Sequence, residues 1–233
     1  MPAASPAGRL PTDGPPTDHQ TVRYAANPEE RHMARPTHYE DERVLVRKLC
    51  VGPLENNAYL VACQNTGEAV LIDAAAEPSR ILAAAGDLYL TAILTTHGHW
   101  DHVQAVTGVR EEVDIPFRIH SADAAGSGHD PDEPLGEGVV QFGDVAIETM
   151  VTPGHTEGSM CFALPGLVFT GDTLFPGGPG ATSDRTAFDT ILGSISDRLL
   201  TLDAATLIMP GHGLDTTVGT ERPHLGEWRD RGW

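Results

Sequence analysis

Short apolar runs alternate with polar connections rich in Gly and Pro along most of the chain, and the period of each run predicts its form. Residues 44–51 and 58–63 have strand length and β-branched content, joined through Glu55, Asn56 and Asn57. Residues 69–73 predict a third strand, 77–85 a helix and 90–95 another strand, with a further helix over 103–109. Strands over 116–120 and 139–151 follow, the latter broken at Gly143 and Asp144, and 121–138 reads as a loop between them. Residues 159–164 and 167–170 flank the turn Pro165-Gly166, and Phe188, Ile191, Leu192, Ile195 and Leu199 then fall at helical spacing as a core stripe. A last strand over 206–209 precedes a closing helix over 221–233, started near Pro223. Strands followed by helix, twice over, fit an α+β domain of two sheets covered by helices on both outer faces.

Four residues of metal-ligating type crowd the turn after the strand at 90–95: His97, His99, Asp101 and His102. His97 and His99 are two apart, so a near-extended backbone projects both to one side, where they can hold one ion. Asp101 and His102 are adjacent and meet that side only if the chain turns, which would aim them at a second ion. Imidazole and carboxylate donors suit zinc, iron(II) or manganese, and two such ions can share a hydroxide. Three more candidates, His155, Asp172 and His212, each follow an apolar run and a glycine (Gly154, Gly171 and Gly211). Glycine lets chain ends approach closely, and sites gather where strands give out in layered proteins.

His97-x-His99-x-Asp101-His102, then His155, Asp172 and His212, resembles in order and completeness the metallo-β-lactamase-fold hydrolase superfamily, and within it small glyoxalase II-like proteins. The resemblance runs from about Val44 to the C-terminus, including residues 57–61, 71–73 and 171–175. It implies a four-layer αββα sandwich, one metal held by His97, His99 and His155, a second by Asp101, His102 and His212, and Asp172 bridging them. The implied cofactor is two divalent ions, zinc first, iron or manganese as alternatives. Asp101 and Asp172 are the candidate catalytic groups, able to orient a metal-bridging hydroxide or receive its proton. Phe175, in the bridging-Asp segment, and Arg185, in a turn that retains the family's Arg but not its Gly, are the substrate-contact candidates.

Composition narrows the partners. The formal charge of −18 argues against extended contact with nucleic acid, and no apolar stretch is long enough to span a membrane or form a secretory signal. Cys50, Cys63 and Cys161 are unclustered, odd in number and set in apolar runs, as buried free thiols of a reducing cytoplasm would be. Residues 1–40 carry seven prolines and little apolar periodicity, which predicts a disordered extension before a hydrolase domain over 41–233. A chain beginning at Met33 would retain everything that domain needs. His129 reads as plain loop.

The expected activity is hydrolysis of a thioester of a small thiol, since a thiolate leaves without a strong general acid. The rival reading is a mononuclear-iron persulfide dioxygenase, followed by a lactonase or a non-catalytic metal-binding module. Only 21 residues follow His212, too few for the helical domain that holds glutathione in longer glyoxalase II enzymes. Fourteen Arg against one Lys point to a GC-rich genome, which brings mycothiol alongside glutathione as a candidate carrier.

Overall fold

In the computed structural model, which describes residues 37–232, the alternation of side chains along each strand decides how the layers stack. β1 (Tyr39–Glu40), β2 (Val44–Val51), β3 (Asn56–Cys63), β4 (Glu68–Ile72), β5 (Tyr89–Leu94) and β6 (Phe117–Arg118) form one sheet in that order. It is antiparallel through β4 and parallel from β4 to β6. Parallel neighbours need crossovers, which α1 (Pro78–Ala85) and α2 (Val106–Glu112) supply. After α3 (Ser121–Ser127), the second sheet begins with β7 (Gly138–Phe142), β8 (Val145–Val151), β9 (Met160–Leu164) and β10 (Leu167–Gly171). A short ribbon of β11 (Leu174–Phe175) and β12 (Gly178–Pro179) and the crossover helix α4 (Arg185–Ser194) lead to β13 (Leu207–Pro210), which pairs parallel with β10. β14 (Thr216–Thr217) closes that edge, and α5 (Val218–Glu221) and α6 (Leu225–Arg231) end the described chain.

β3 is buried along its whole length because both of its faces are covered. Tyr59, Val61 and Cys63 face the second sheet and pack with Phe142, Phe162 and Phe169, the Tyr59 and Phe169 rings meeting edge-on at 5.0 Å. The intervening Ala58 and Leu60 face outward onto Ile81 and Leu82 of α1 and Val106 and Val109 of α2. The second sheet repeats the division: Phe162 and Phe169 point inward, whereas Cys161 and Val168 point out onto Phe188, Ile191 and Leu192 of α4. The result is the four-layer αββα sandwich.

Several elements differ from the sequence expectation. The stretch read as a loop over 121–138 opens with α3, an Ala-containing turn stopped by Gly128 in the left-handed conformation. The helix expected from 103 starts at Val106, after a tight 3₁₀ turn over Trp100–His102. The closing helix is split into α5, a 3₁₀ turn at Arg222–His224 and α6, with Pro223 at the break. The first sheet begins before residue 41, because Tyr39 and Glu40 pair with Val46 and Leu45 and Tyr39 packs against the core. The disorder expected for the remainder of 1–40, and the alternative start at Met33, lie outside the described residues. All three thiols are free, but Cys50 is exposed, on a β2 position that alternates away from the buried Leu49 and Val51. His129 sets its ring edge against Phe117 at 5.5 Å, away from the ligand set.

Candidate metal centre

The seven predicted ligands converge at one edge of the sandwich, each in a connection leaving a strand: His97 to His102 after β5, His155 after β8, Asp172 after β10 and His212 after β13. His99 Nδ1 lies 3.1 Å from His97 Nε2 and 2.9 Å from His155 Nε2. Three ring nitrogens at that spacing suit one cation at about 2.0–2.1 Å from each. Asp101, His102 and His212 form a second group, and Asp172 joins His97 and His102 in a third. Asp172 spans the groups with both oxygens: Oδ1 stands 3.5 Å from His102 Nε2, and Oδ2 stands 3.7 Å from both His155 Nε2 and His212 Nε2.

Two atoms test whether a metal belongs here. His102 Nε2 and Asp172 Oδ1 are buried and have no hydrogen-bond partner. Buried polar atoms are rarely left in that condition, and each costs about 1–3 kcal/mol unless satisfied. A divalent cation accepting both lone pairs satisfies them, and the imidazole and carboxylate donor set suits zinc, iron or manganese. The residues therefore fit the paired ions implied by the sequence.

Outer hydrogen bonds fix the ligand tautomers, and sequence reasoning missed most of the residues that make them. Asp73 is buried in the left-handed region at φ 56° and accepts from Thr96 N, Thr96 Oγ1 and His102 Nδ1, each at 2.8 Å. An Asp tolerates that backbone better than most residues. Thr96 Oγ1, having donated to Asp73, accepts from His97 Nδ1 at 3.0 Å, so one carboxylate orients a ligand of each group. His155 Nδ1 donates to Ala181 O at 2.7 Å and His212 Nδ1 to Leu54 O at 3.0 Å. Asn56 Nδ2 contacts Asp101 Oδ2 at 2.9 Å and His212 Nε2 at 3.3 Å. Asp123, in the unforeseen α3, accepts the N–H groups of Gly98 and Gly158 and the hydroxyl of Thr156. The available signals were an Asp ending an apolar run at 73 and an Asp in an Ala-containing run ahead of Gly128 at 123; neither is specific alone.

Electrostatics separate the imidazoles. Burial, reinforced by neighbouring histidines, holds His97 well below the ordinary imidazole range, and burial likewise lowers His155. Burial works against a charged His102 too, but the carboxylates of Asp73, Asp172 and Asp101 prevail and push it up to about 9. Asp101 sits below the usual carboxylate range: burial opposes this, and the Asn56 hydrogen bond with the charges of His102 and His212 overcomes it.

The substrate-contact candidates part company. Phe175, on β11, places its ring 6.4 Å from that of His212. Arg185, in the first turn of α4, is exposed and turns its Nε to Asp189 at 3.0 Å, which makes it a surface ion pair. A cleft of about 340 Å³ beside His155 is lined instead by Glu157, Ser183, Asp184, Thr186 and Thr190.

An αββα sandwich with two His/Asp groups joined by one carboxylate at a strand-end edge defines a class of metal-dependent hydrolase. Residues 51–212 match the family model described as the Metallo-beta-lactamase superfamily, and the chain belongs to that superfamily. It is 37% identical over 199 residues to the probable metallo-hydrolase YqgX of Bacillus subtilis, covering 76% of this chain and 93% of that protein. Among solved structures, TTHA1623 in a di-iron-bound form is 36% identical with TM-score 0.66, covering 75% of this chain and 96% of that one. The BLEG-1 B3 metallo-beta-lactamase is 29% identical with TM-score 0.68, over 77% and 97% of the two chains. A more distant similarity reaches a probable hydroxyacylglutathione hydrolase of Schizosaccharomyces pombe, 32% identical over 73% of this chain and 68% of that protein.

Proposed function

We propose that this metallo-hydrolase cleaves an acyl or hydroxyacyl thioester of a low-molecular-weight thiol. The observation that carries the reading is Asp172, whose two oxygens reach ligands of both groups and so tie them into one site. Bound there, a divalent pair supplies an acidified water and polarises the carbonyl under attack. Asp172 is part-buried and Asp101 buried, and each carries an oxygen near His212 Nε2, placed to orient the water and take up its proton. His99, exposed at the rim, marks the open side from which a substrate enters.

The leaving group points to a thiol. Lys48 is tied to Gly213 O and Asp215, Tyr59 donates to Pro210 O, Tyr39 donates to Asp41, and Tyr89 lies at the opposite end of β5. Among the described residues no lysine or tyrosine is thus left to protonate a poor leaving group, and a thiolate departs without one. Zinc fits the donor set best, with iron or manganese next; the di-iron form of TTHA1623 gives iron particular support. The charge of −18 favours a small-molecule substrate over nucleic acid, and among the described residues no helix is long and apolar enough to cross a membrane. We place the protein in the cytoplasm on its thiol usage.

Metal analysis joined to a panel of thioesters, lactones, β-lactams and persulfides tests the reading. Two metals per chain with thioester turnover are expected. One iron with oxygen consumption on a persulfide would replace it with the dioxygenase, and a metal-replete chain inert to the whole panel with a binding module.

A further inference from the structure

Four large hydrophobic side chains are exposed among the described residues, and three of them belong to residues that lie close to a metal ligand in the chain or bond one: Trp100 at 59%, Leu54 at 49% and Leu214 at 81% relative exposure. Trp100 stands between the ligands His99 and Asp101, Leu54 offers its carbonyl to His212 Nδ1, and Leu214 lies two residues past His212. The three connections that carry them are stitched at Asn56, two residues after Leu54, which bonds Asp101 and His212 together. Phe175 adds a ring whose centroid lies 6.4 Å from that of His212. The cleft beside His155 mixes the polar side chains of Glu157, Asp184 and Thr190 with Pro153 and Ala187.

Exposing a Trp and two Leu to water forgoes the stabilisation their burial would bring, and apolar side chains gathered at a polar site mark what that site covers. Resting on the thioester reading above, we infer that this rim binds an apolar acyl chain, so that the preferred substrates are medium-chain acyl thioesters rather than short polar ones. The occupant is the acyl group because the rim adjoins the Asp101, His102 and His212 ligands, within reach of a chain whose carbonyl sits at the site. The cleft on the His155 side is left for the thiol carrier.

The test is the ratio of kcat/KM for octanoyl over acetyl thioesters of one neutral thiol, N-acetylcysteamine, on the metal-loaded protein, with the same acyl pair run as oxygen esters. A rise of about two- to fourfold per added methylene is expected, the upper figure being full burial of each CH₂. Trp100→Ala and Leu214→Ser should each lower the ratio by at least threefold, with metal content measured alongside. Leu214 makes no ligand contact, so its variant keeps the test decisive if Trp100→Ala loses metal. A flat ratio in both ester series, or a ratio unmoved by both variants, overturns the inference. Chain-length preference on oxygen esters without thioester turnover overturns the thioester reading and keeps the rim; inertness to both series overturns both.

Discussion

Asp123 Oδ2 accepts the backbone N–H of Gly98 at 2.8 Å, pinning the His97–His102 turn to α3. Its Oδ1 accepts Gly158 N at 2.8 Å and Oδ2 also accepts Thr156 Oγ1 at 2.6 Å, so the same carboxylate holds the connection that carries His155. Both glycines are required: a Cβ on Gly98 would stand 2.4 Å from Asp123 O, and one on Gly158 2.6 Å from Asp123 Oδ1. Asp123→Ala leaves two buried N–H groups without an acceptor, a loss of roughly 2–5 kcal/mol. Urea unfolding should show that loss, and metal titration should show weakened binding at His97, His99 and His155. Asp123→Asn, which keeps one carbonyl acceptor, should recover part of both; unchanged metal affinity in the Ala variant would remove Asp123 from the metal centre's support.

The shared carboxylate makes a separate prediction. Asp172→Ala deletes the carboxylate whose oxygens reach ligands of both groups and leaves Asp101 as the one carboxylate beside His102 Nε2 among the described residues. Metal content should fall from two toward one per chain, and turnover by at least about 10²-fold, the usual scale for loss of a group acting on transition-state charge. Elemental analysis finding two metals in the variant would refute the bridging role.

Among the buried histidines, His102 is the one whose charge favours the metal-free fold on the alkaline side. Its folded-state value of about 9, against 6.5 unfolded, arises because Asp73, Asp172 and Asp101 outweigh the burial that disfavours its charge. A raised pKa means that this contribution to stability is complete below pH 6.5 and is lost as pH climbs through about 9. In EDTA, the melting temperature should therefore decline across that window, and NMR should show one imidazole titrating near 9. Divalent metal takes the place of that proton, so loading should abolish the decline. A metal-free melting temperature that rises over the same range would contradict the assignment.

Much of this molecule is legible in its sequence because the informative residues are local. The His97–His102 run announces itself, and the strands around His155, Asp172 and His212 are short apolar runs ended by glycine. β3 shows why strand boundaries blur: covered on both faces, it has no polar alternation to mark where it starts, and Asn56 and Asn57 belong to it because they bond Asp101 and Pro210 O rather than water. Asp73 and Asp123 were illegible as parts of the site because their partners lie 23 to 35 residues away and include backbone N–H groups, which every residue type offers alike. Arg185 is open to two readings, a substrate carboxylate or an acidic neighbour at the surface. Its side chain suits a substrate carboxylate, but Asp189 one helical turn later is a nearer partner.

Gly211 gives the most selective test of the close packing at the site. Its backbone φ is not in the left-handed region, so an alanine there meets no conformational penalty. The added Cβ would instead stand 2.3 Å from Asp172 Oδ1 and 2.8 Å from His102 Cε1, and the carbonyl of Gly211 accepts from Asn57 N at 2.7 Å, so the backbone is anchored against retreat. The groups displaced furthest are then the two ligands, with a lesser crowding of the Gly171 backbone at 3.1 Å. Gly211→Ala should cost activity by at least about tenfold through a shift of an ångström or less, because small misplacements of reacting groups are expensive. Melting of the metal-free protein above about pH 9, where the His102 charge no longer contributes, should change little, since His102 and Asp172 form no part of the three apolar clusters. A variant with full activity would show that the His212 connection yields more readily than its hydrogen bonds imply, and a metal-free protein that fails to fold would place the clash in the scaffold.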